Sequence, residues 1–450
     1  MEEKKAKMFT NEDLKKLLWP LIVEQILAVL VGMVDVVMVA AVGEAAVSGV
    51  SLVDSISILI IQLLSALATG GAVVAAQYIG RKDTGNACRA AGQLLFVTVL
   101  VSLAVTAAAL VGNRPLLMVI FGHVEQDVMD NAVIYFFLCA LSYPFLAVYN
   151  SCAALYRAMG NSRISMKVSI VMNLINAVGN AFCVFVLHMG VAGVGIPTLV
   201  SRAFAAVTML ILIQRQDNVI RLTDVRQLKP EGKMIRRILA VGIPNGLENS
   251  IFQVGKLTLQ SLVSSLGTAA LAGYAVANNL ATIAYLPGNA LGLGLITIAG
   301  QCVGAGEYRQ ARDYTRKLLI LNYILAGVIC VFMFAGQGAL VSIYGLSEES
   351  GQIAKEMIAA HCFAMAVWPL AFTLPYTLRA SFDARFTMII SIFSMWVFRI
   401  GFAYLFVLLF GFGVLGIWYG MFIDWIFRAA VFVWRFKSYE KRLPKMGKLA

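Results

Sequence analysis

The stretch WPLIVEQILAVLVGMVDVVMVA, residues 19–40, is almost wholly apolar, yet it carries two acids, Glu24 and Asp35. A helix of about 20 apolar residues crosses the hydrocarbon core of a bilayer, which is roughly 30 Å thick. The two acids are 11 residues apart, which is roughly three helical turns, so they share one helix face. Because a carboxylate is costly in lipid, this face is predicted to look into protein or a wet cavity.

Similar apolar stretches recur from one end of the chain to the other, separated by clusters of Gly, Asn, Pro and charged residues. The chain has 450 residues, of which 60% are hydrophobic and only 13% are charged, too few for the surface of a soluble protein of this length. We therefore predict an all-α polytopic membrane protein. Its twelve transmembrane helices are expected at 16–40, 50–78, 90–112, 131–156, 166–188, 191–214, 236–263, 272–299, 316–336, 355–378, 386–410 and 414–435.

The basic residues set the expected orientation of these helices. Most of the 36 Lys and Arg fall in the two termini and in alternate loops, at 81–89, 157–167, 215–237, 309–317 and 379–385. By the positive-inside rule both termini are predicted to be cytosolic, in a multi-pass protein of the plasma (inner) membrane. The net charge of +12 follows from this topology, so no nucleic-acid partner is predicted and the bilayer is the expected surrounding.

The two halves of the chain repeat each other at an offset of 224 residues. GEAAVSGVSLVDS (43–55) aligns with GTAALAGYAVANN (267–279), and AAQYIGRKDTGNA (75–87) aligns with AGQCVGAGEYRQA (299–311). The same offset aligns Glu24 with Glu248, whereas YRAMGNSR (156–163) resembles LRASFDAR (378–385) at an offset of 222. Six spans per half give a parallel repeat, in which both halves enter the membrane from the same side.

This repeat predicts two six-helix lobes. The N-terminal lobe is expected at 1–214, a cytosolic linker at 215–235, the C-terminal lobe at 236–436 and a basic cytosolic tail at 437–450. Two bundles that alternate between inward-open and outward-open states are the mechanism that such a layout favours.

Three further segments resemble a known transporter family: VDVVMVAAVGEAAVSGV (34–50), ALYRAMGNSRISMKVSIVMNLINAVGNAF (154–182) and GVAGVGIPTLVS (190–201). With the paired repeat motifs, they make the chain similar to the multidrug and toxic compound extrusion (MATE) transporters over nearly its full length. The resemblance implies a secondary antiporter, a monomer without a cofactor, that exports organic cations or other amphipathic small molecules against inward H⁺ or Na⁺.

The alternative is a flippase of the same superfamily that moves a lipid-linked or amphipathic precursor. Such flippases usually line their cavity with several basic residues, for which only Lys256 and Arg399 are available here. A membrane enzyme is not favoured, because the chain has no HExxH motif and no nucleophile elbow, and a missing P-loop excludes an ABC-type pump as a single chain.

The resemblance also implies a cation-coupling cluster in the N-terminal lobe, formed by Asp35, Asn176, Asn180 and Thr198. Asn176 and Asn180 are four residues apart and share a helix face. Oxygen ligands of this kind suit Na⁺, the only metal ion expected, and a desolvated Asp suits H⁺ equally. Relatives with a well-formed sodium site often have Asp where Asn180 stands. With one carboxylate fewer, the cluster is at least as consistent with H⁺ coupling as with Na⁺ coupling. A polar cluster that only joins spans 1, 5 and 6 is the structural alternative.

Other intramembrane polar residues are candidates for the cavity or for gating: Glu24, Glu248, Lys256, Gln260 and Asp54. Lys256 and Gln260 follow Glu248 on one helix face, so Glu248 and Lys256 are expected to form an ion pair. This ion pair either exchanges with substrate or protons, or is static and only neutralises charge.

A second charged group lies in the last two spans. Arg399 and Asp424 are expected to be partners in a structural ion pair at similar depth, with Arg428 one turn after Asp424. Arg202 is expected to reach the cytosolic end of span 6.

Overall fold

The computed structural model describes residues 7–122, 124–223, 225–439 and 441, so most of the predicted basic tail 437–450 lies outside the described residues. Every regular element in the described part is helical. Large apolar side chains such as those of Val37 and Leu408 are exposed along these helices, as expected for surfaces that contact lipid.

The N-terminal half contains the helices α1 (Asn11–Ala40), α2 (Glu44–Gly80), α3 (Thr84–Val111), α4 (Asn113–Phe121), α5 (Gln126–Ala158), α6 (Ser162–Ala181) and α7 (Ala192–Ile213), followed by α8 (Gly232–Ser264). Helix α1 begins at a capping box, in which the Thr10 hydroxyl accepts from the Asp13 amide and the Asp13 carboxylate accepts from the Thr10 amide. Asp83 caps α3 through hydrogen bonds from the backbone and side-chain amides of Asn86, which lower the pKa of the Asp83 carboxyl. The short α4 was not predicted from the sequence.

The C-terminal half contains α9 (Thr268–Gly304), α10 (Tyr308–Ser342), α11 (Glu348–Ala364), α12 (Leu374–Ala380), α13 (Ala384–Ser394), α14 (Phe402–Leu408) and α15 (Gly413–Lys437). Short π-helical segments at Pro369–Thr373 and Met395–Gly401 join α11 to α12 and α13 to α14, and a third, Phe182–Val186, extends α6. The predicted tenth span is therefore not one straight helix, because its two parts are bent by 66°. Pro369 and Pro375 lie at the start of the second part, where a missing amide hydrogen cannot continue the α-helical bonding.

The predicted fold class is confirmed. Ten helices among the described residues are long and apolar enough to cross a membrane, or eleven if the bent pair α11–α12 counts as one. Helix α8 coincides with the predicted seventh span but is not among these ten, since Asn245, Glu248, Asn249 and Gln253 make it more polar.

The chain divides into two compact units, Phe9–Gly246 and Leu247–Ala450 with Met1–Met8, so the division falls inside α8. The predicted linker 215–235 belongs to the first unit, where the side chain of Gln93 on α3 donates to the carbonyl oxygens of Gln227 (2.9 Å) and Lys229 (2.7 Å). The lobe boundaries drawn from the sequence stay a prediction.

Within the first unit, α2 and α5 form the centre of the packing. Gly49 of α2 allows the closest approach, because a Cβ there would lie 2.8 Å from the carbonyl oxygen of Val128. Val39 of α1 and Val194 of α7 belong to the same apolar core.

Candidate cation-coupling site and charged clusters

The four residues predicted to form the cation-coupling cluster lie together in the N-terminal unit. The side-chain amide of Asn180 donates to Asp35 Oδ1 at 2.9 Å and to Asn176 Oδ1 at 3.3 Å. The amide of Asn176 in turn donates to the Thr198 hydroxyl at 3.0 Å. One hydrogen-bonded chain therefore runs from α1 through α6 to α7. Its role in coupling stays a prediction.

Backbone geometry explains how α6 and α7 come close enough to form this chain. A Cβ at Gly179 would lie 2.8 Å from Cβ of Pro197, so glycine is needed where the two helices cross. These residues are next to Asn180 and Thr198 in the sequence. The π-helical segment Phe182–Val186 begins two residues after Asn180, and π-segments are frequent at functional sites.

Asp35 opens onto a cavity of about 750 Å³ in the same unit. Glu24 lines the same cavity, as the shared helix face predicted, and Asp54 of α2 adds a third carboxylate. Val31, Val50 and Met172 are among the apolar residues of its wall. The cavity is thus an apolar chamber lined by three acids and one base, Arg202, and one of the acids, Glu24, is paired with Arg157.

Arg202 is the residue whose predicted position was wrong. Its guanidinium donates to the Ser142 hydroxyl at 2.6 Å and lines the cavity near Asp54, instead of extending to the cytosolic end of α7. Side chains on a helix lean toward its N-terminus, and α7 begins at the predicted outer side. This direction was available from the sequence once the orientation of the span was fixed.

The coupling cluster has oxygen atoms available for a cation. Asn180 is fully buried, and its Oδ1 has no hydrogen-bond partner in the part of the chain that the structure describes. The carboxylate of Asp35 is half-buried and receives one amide hydrogen bond. An unpartnered amide oxygen beside a carboxylate fits Na⁺, and the carboxylate alone suffices for H⁺.

Glu24 and Glu248 each form an ion pair with an arginine from the same half. Glu24 Oε1 lies 3.8 Å from an Nη of Arg157, and Glu248 Oε1 accepts from Arg379 at 2.8 Å. Arg157 and Arg379 are themselves aligned by the repeat at offset 222. Both members of each pair were visible as repeat mates, but their contact was not predicted because each Arg had been placed in a loop.

The pairing expected between Glu248 and Lys256 is not the one in the structure. Glu248 is engaged by Arg379, whereas the Lys256 ammonium lies over the ring of Phe252, 5.3 Å from its centroid. The reason is helical direction, since Lys256 leans back by one turn toward Phe252 and does not span the two turns to Glu248. Gln260, one turn further on, is exposed.

Arg399, Asp424 and Arg428 are brought together in the C-terminal unit. Arg428 Nε donates to Asp424 Oδ1 at 2.8 Å, whereas Arg399 approaches the other carboxylate oxygen only to 3.8 Å. Ser394 also donates to Asp424, and Arg428 donates to the carbonyl of Ser391 at 2.9 Å. The shorter contact of Asp424 is therefore with Arg428, whereas Arg399 was the expected partner.

Comparison with known proteins shows the family to which the chain belongs. The MatE family model matches the chain twice, at residues 20–182 and 244–405. The chain belongs to the MatE family. The two matched segments begin at Pro20 and Pro244, which are related by the repeat offset of 224.

Individual relatives of this MatE protein cover almost the whole chain. The uncharacterized transporter YisQ of Bacillus subtilis is 25% identical over 95% of this chain and 94% of its own. The probable multidrug resistance protein NorM of Thermotoga maritima is 26% identical over 96% of this chain and 94% of its own. A crystal structure of MATE in the straight conformation matches the fold with a TM-score of 0.90 at 18% identity, covering 96% of this chain and 97% of that one.

Proposed function

We propose that this MatE protein is a secondary antiporter of the plasma membrane that exports amphipathic compounds, organic cations among them, in exchange for inward H⁺ or Na⁺. The observation that carries the proposal is the position of Asp35, which joins a buried polar chain on one side and a cavity of about 750 Å³ on the other. The name given to the Thermotoga maritima relative, a probable multidrug resistance protein, supports the class of substrate.

In the proposed cycle, the charge of Asp35 decides what the cavity holds. Glu24 is paired with Arg157, so Asp35 and Asp54 face the single charge of Arg202 in the cavity. With Asp35 ionised, the excess negative charge attracts a cationic or dipolar substrate, and the apolar wall accepts its body. Uptake of H⁺ or Na⁺ at Asp35 removes one negative charge and changes the bond that Asn180 donates. Release of the substrate outward and return of the ion inward then follow from alternating access between the lobes.

Vesicles with separated gradients test this proposal. Everted membrane vesicles or proteoliposomes are placed in a solution of ethidium, and its uptake into the lumen is followed under a sodium gradient, under a pH gradient and under neither. We expect ethidium accumulation that one of the two gradients drives. Equal rates under all three conditions, for ethidium and for a second cationic dye such as rhodamine 6G, would reject the antiport proposal.

The variant Asp35→Asn tests the residue on which the proposal depends. Asn keeps the volume and can hydrogen-bond to Asn180, so the unfolding temperature should change by no more than about 2–4 °C, equivalent to about 1 kcal/mol. Gradient-driven transport should be lost, because an amide neither titrates nor offers a charge. The control Asp127→Asn changes an exposed acid in the first turn of α5 and should transport normally. Full activity in Asp35→Asn would remove Asp35 from the mechanism.

A further inference from the structure

We propose that the C-terminal unit contains a second binding site, which takes the carboxylate of an aromatic amphipathic acid between Lys256, Arg399 and the ring of Phe252. The inference deepens the proposed function by naming a substrate class, and it rests on that function only for the export step. Acidic or zwitterionic aromatic solutes would then be bound here, apart from the acid-lined cavity of the N-terminal unit.

The first argument is an excess of positive charge. Lys256, Arg399 and Arg428 all lie over the ring of Phe252, at 5.3, 5.1 and 5.4 Å from its centroid. Asp424 is paired with Arg428 at 2.8 Å and is 3.8 Å from Arg399. Among residues 7–122, 124–223, 225–439 and 441, no carboxylate forms a salt bridge with Lys256. One acid therefore faces three cations in a setting where uncompensated charge is costly.

The second argument is that Arg399 has unused hydrogen-bonding capacity. Its side chain is 8% exposed, and its Nε has no hydrogen-bond partner among the described residues. The bond that its Nη2 makes goes to the sulfur of Met421 at 3.1 Å, a weak acceptor. A guanidinium has five N–H donors in a fork that matches a carboxylate, and Asp424 approaches one of them only to 3.8 Å. Arg399 therefore has donors left for a second, external carboxylate.

The third argument is the direction of Lys256. Its position near the outer end of α8 would allow a lysine to snorkel toward the membrane surface. The ammonium instead lies over Phe252, one turn toward the N-terminal end of α8, the direction in which helical side chains lean. Because contact of a charged group with lipid is costly, we expect it to face protein or a hydrated space.

The backbone is shaped to hold these groups together. Arg399 belongs to the π-helical segment Met395–Gly401, and this segment packs directly on α8 at Gly255, where a Cβ would meet the side chains of Met395 and Ile400. The absence of a side chain at Gly255 lets the segment carrying Arg399 approach Lys256 on the next residue. The two positive charges lie 5.3 and 5.1 Å from the centroid of the same ring, that of Phe252, so they repel each other. Holding like charges together is expected where they share an anionic ligand.

Aromatic rings beside the two cations provide a surface for an apolar body. Phe372 contacts Phe252 edge-on at 6.4 Å between centroids and stacks on Trp368 at 5.3 Å. Trp368 stacks in turn on Tyr285 at 5.2 Å. Both faces of Trp368 are occupied, so a flat acid could place its ring only at the half-buried end of this row, against Phe252 and Phe372, while its carboxylate reaches Lys256 and Arg399.

Binding to the purified full-length chain in detergent tests the proposal without any gradient. The probes are 1-naphthylacetate, the neutral 1-naphthylacetamide and the cationic 1-naphthylmethylamine, which share one ring system, together with inorganic phosphate. Calorimetry should show naphthylacetate binding at least about tenfold more tightly than the amide, as a charge-assisted hydrogen bond implies. Equal affinity for acetate and amide would overturn the proposal, and so would phosphate binding as tightly as naphthylacetate, since that describes a simple anion site.

Three variants locate the site and separate binding from folding. Lys256→Met and Arg399→Met should each weaken naphthylacetate binding by about tenfold or more, whereas Lys256→Arg should keep most of it. Lys167→Met, which removes an exposed lysine of α6, should leave it unchanged. Because Lys256 faces only like charge, Lys256→Met should unfold at the same or a higher temperature without ligand. A lower unfolding temperature, or unchanged naphthylacetate binding in Lys256→Met, would overturn the assignment.

The outcome is separable from that of the proposed function. Naphthylacetate binding that depends on Lys256, in a protein that moves no dye under any gradient, would support the site and reject antiport. Gradient-driven ethidium export, together with equal binding of naphthylacetate and its amide, would support antiport and reject the second binding site.

Discussion

Asp424 shows how one buried carboxylate organises its neighbours. Its side chain is fully buried, it accepts from Arg428 and Ser394, and Arg399 lies further away. The sequence indicated that these charges meet, because α13–α14 and α15 are adjacent and antiparallel in the predicted topology. It favoured Arg399 as the partner, whereas Arg428 makes the shorter contact. That choice depends on the π-helical turn that carries Arg399, and on the i,i+4 geometry within α15 that favours Arg428.

At this residue scale we expect Asp424→Ala to destabilise the protein by about 3–5 kcal/mol, because it leaves the buried guanidinium of Arg428 without its anion. The double variant Asp424→Ala with Arg428→Met should recover a large part of that loss, whereas Asp424→Ala with Arg399→Met should recover less. Thermal unfolding in detergent compares the three. If both double variants recover equally, the two arginines share the carboxylate and the ranking by distance is wrong.

The helices themselves were largely predictable, and the interruptions within them were not. Long apolar runs bounded by glycine and charge fixed most helices to within a few residues, since spanning length and loop chemistry are read directly from composition. The bend between α11 and α12 and the three π-helical segments depend on backbone hydrogen bonds that shift register by one residue, which apolar composition does not record. Pro369 was the one sequence signal at such a place.

Close helix packing in the C-terminal unit gives a prediction at the scale of elements. Gly288 of α9 faces the indole of Trp368, where an added Cβ would collide with the ring. Trp368 cannot easily move because it stacks between Tyr285 and Phe372. Gly288→Ala should therefore destabilise by about 1–3 kcal/mol, as overpacking does.

The matched control for this substitution is Gly327→Ala in α10. An added Cβ there meets nothing within 4 Å, so alanine should be neutral or stabilise by up to about 1 kcal/mol through its higher helix propensity. Unfolding temperatures of the two variants should thus move in opposite directions or differ clearly. Equal shifts in unfolding temperature would mean that the rings around Trp368 can move enough to accommodate a methyl group at residue 288.

The whole molecule is organised by its repeat, and the repeat extends to an ion pair. Glu24 with Arg157 and Glu248 with Arg379 connect corresponding helices in the two halves, although the second pair is closer, at 2.8 Å against 3.8 Å. The alignment made all four residues visible as mates. Distance and burial could not be predicted, because the two halves differ in the side chains that surround each pair.

This difference predicts unequal effects of equivalent substitutions. Glu248→Ala should cost about 3–5 kcal/mol, since Arg379 is 8% exposed and loses its carboxylate. Glu24→Ala should cost less, because its pair is longer and Arg157 has a further interaction. The unfolding temperatures of the single variants and of the double variants with Arg379→Met or Arg157→Met give the coupling energy of each ion pair. Equal coupling energies would show that the two repeat-related ion pairs have the same strength as well as corresponding positions.

The orientation of the whole chain is the remaining prediction that the basic residues carry. Arg81 follows α2 on the side where alternate loops are rich in Lys and Arg, and Lys437 ends α15 on that same side, whereas Glu125 precedes α5 on the other. In a variant with all seven cysteines changed to alanine, single cysteines are placed at 81, 125 and 437, which are exposed. A membrane-impermeant maleimide should label intact cells only at 125, and all three positions after permeabilisation. Labelling of 81 and 437 in intact cells would show that the topology is the inverse of the predicted one. The direction of transport that the coupling at Asp35 requires would then be reversed as well.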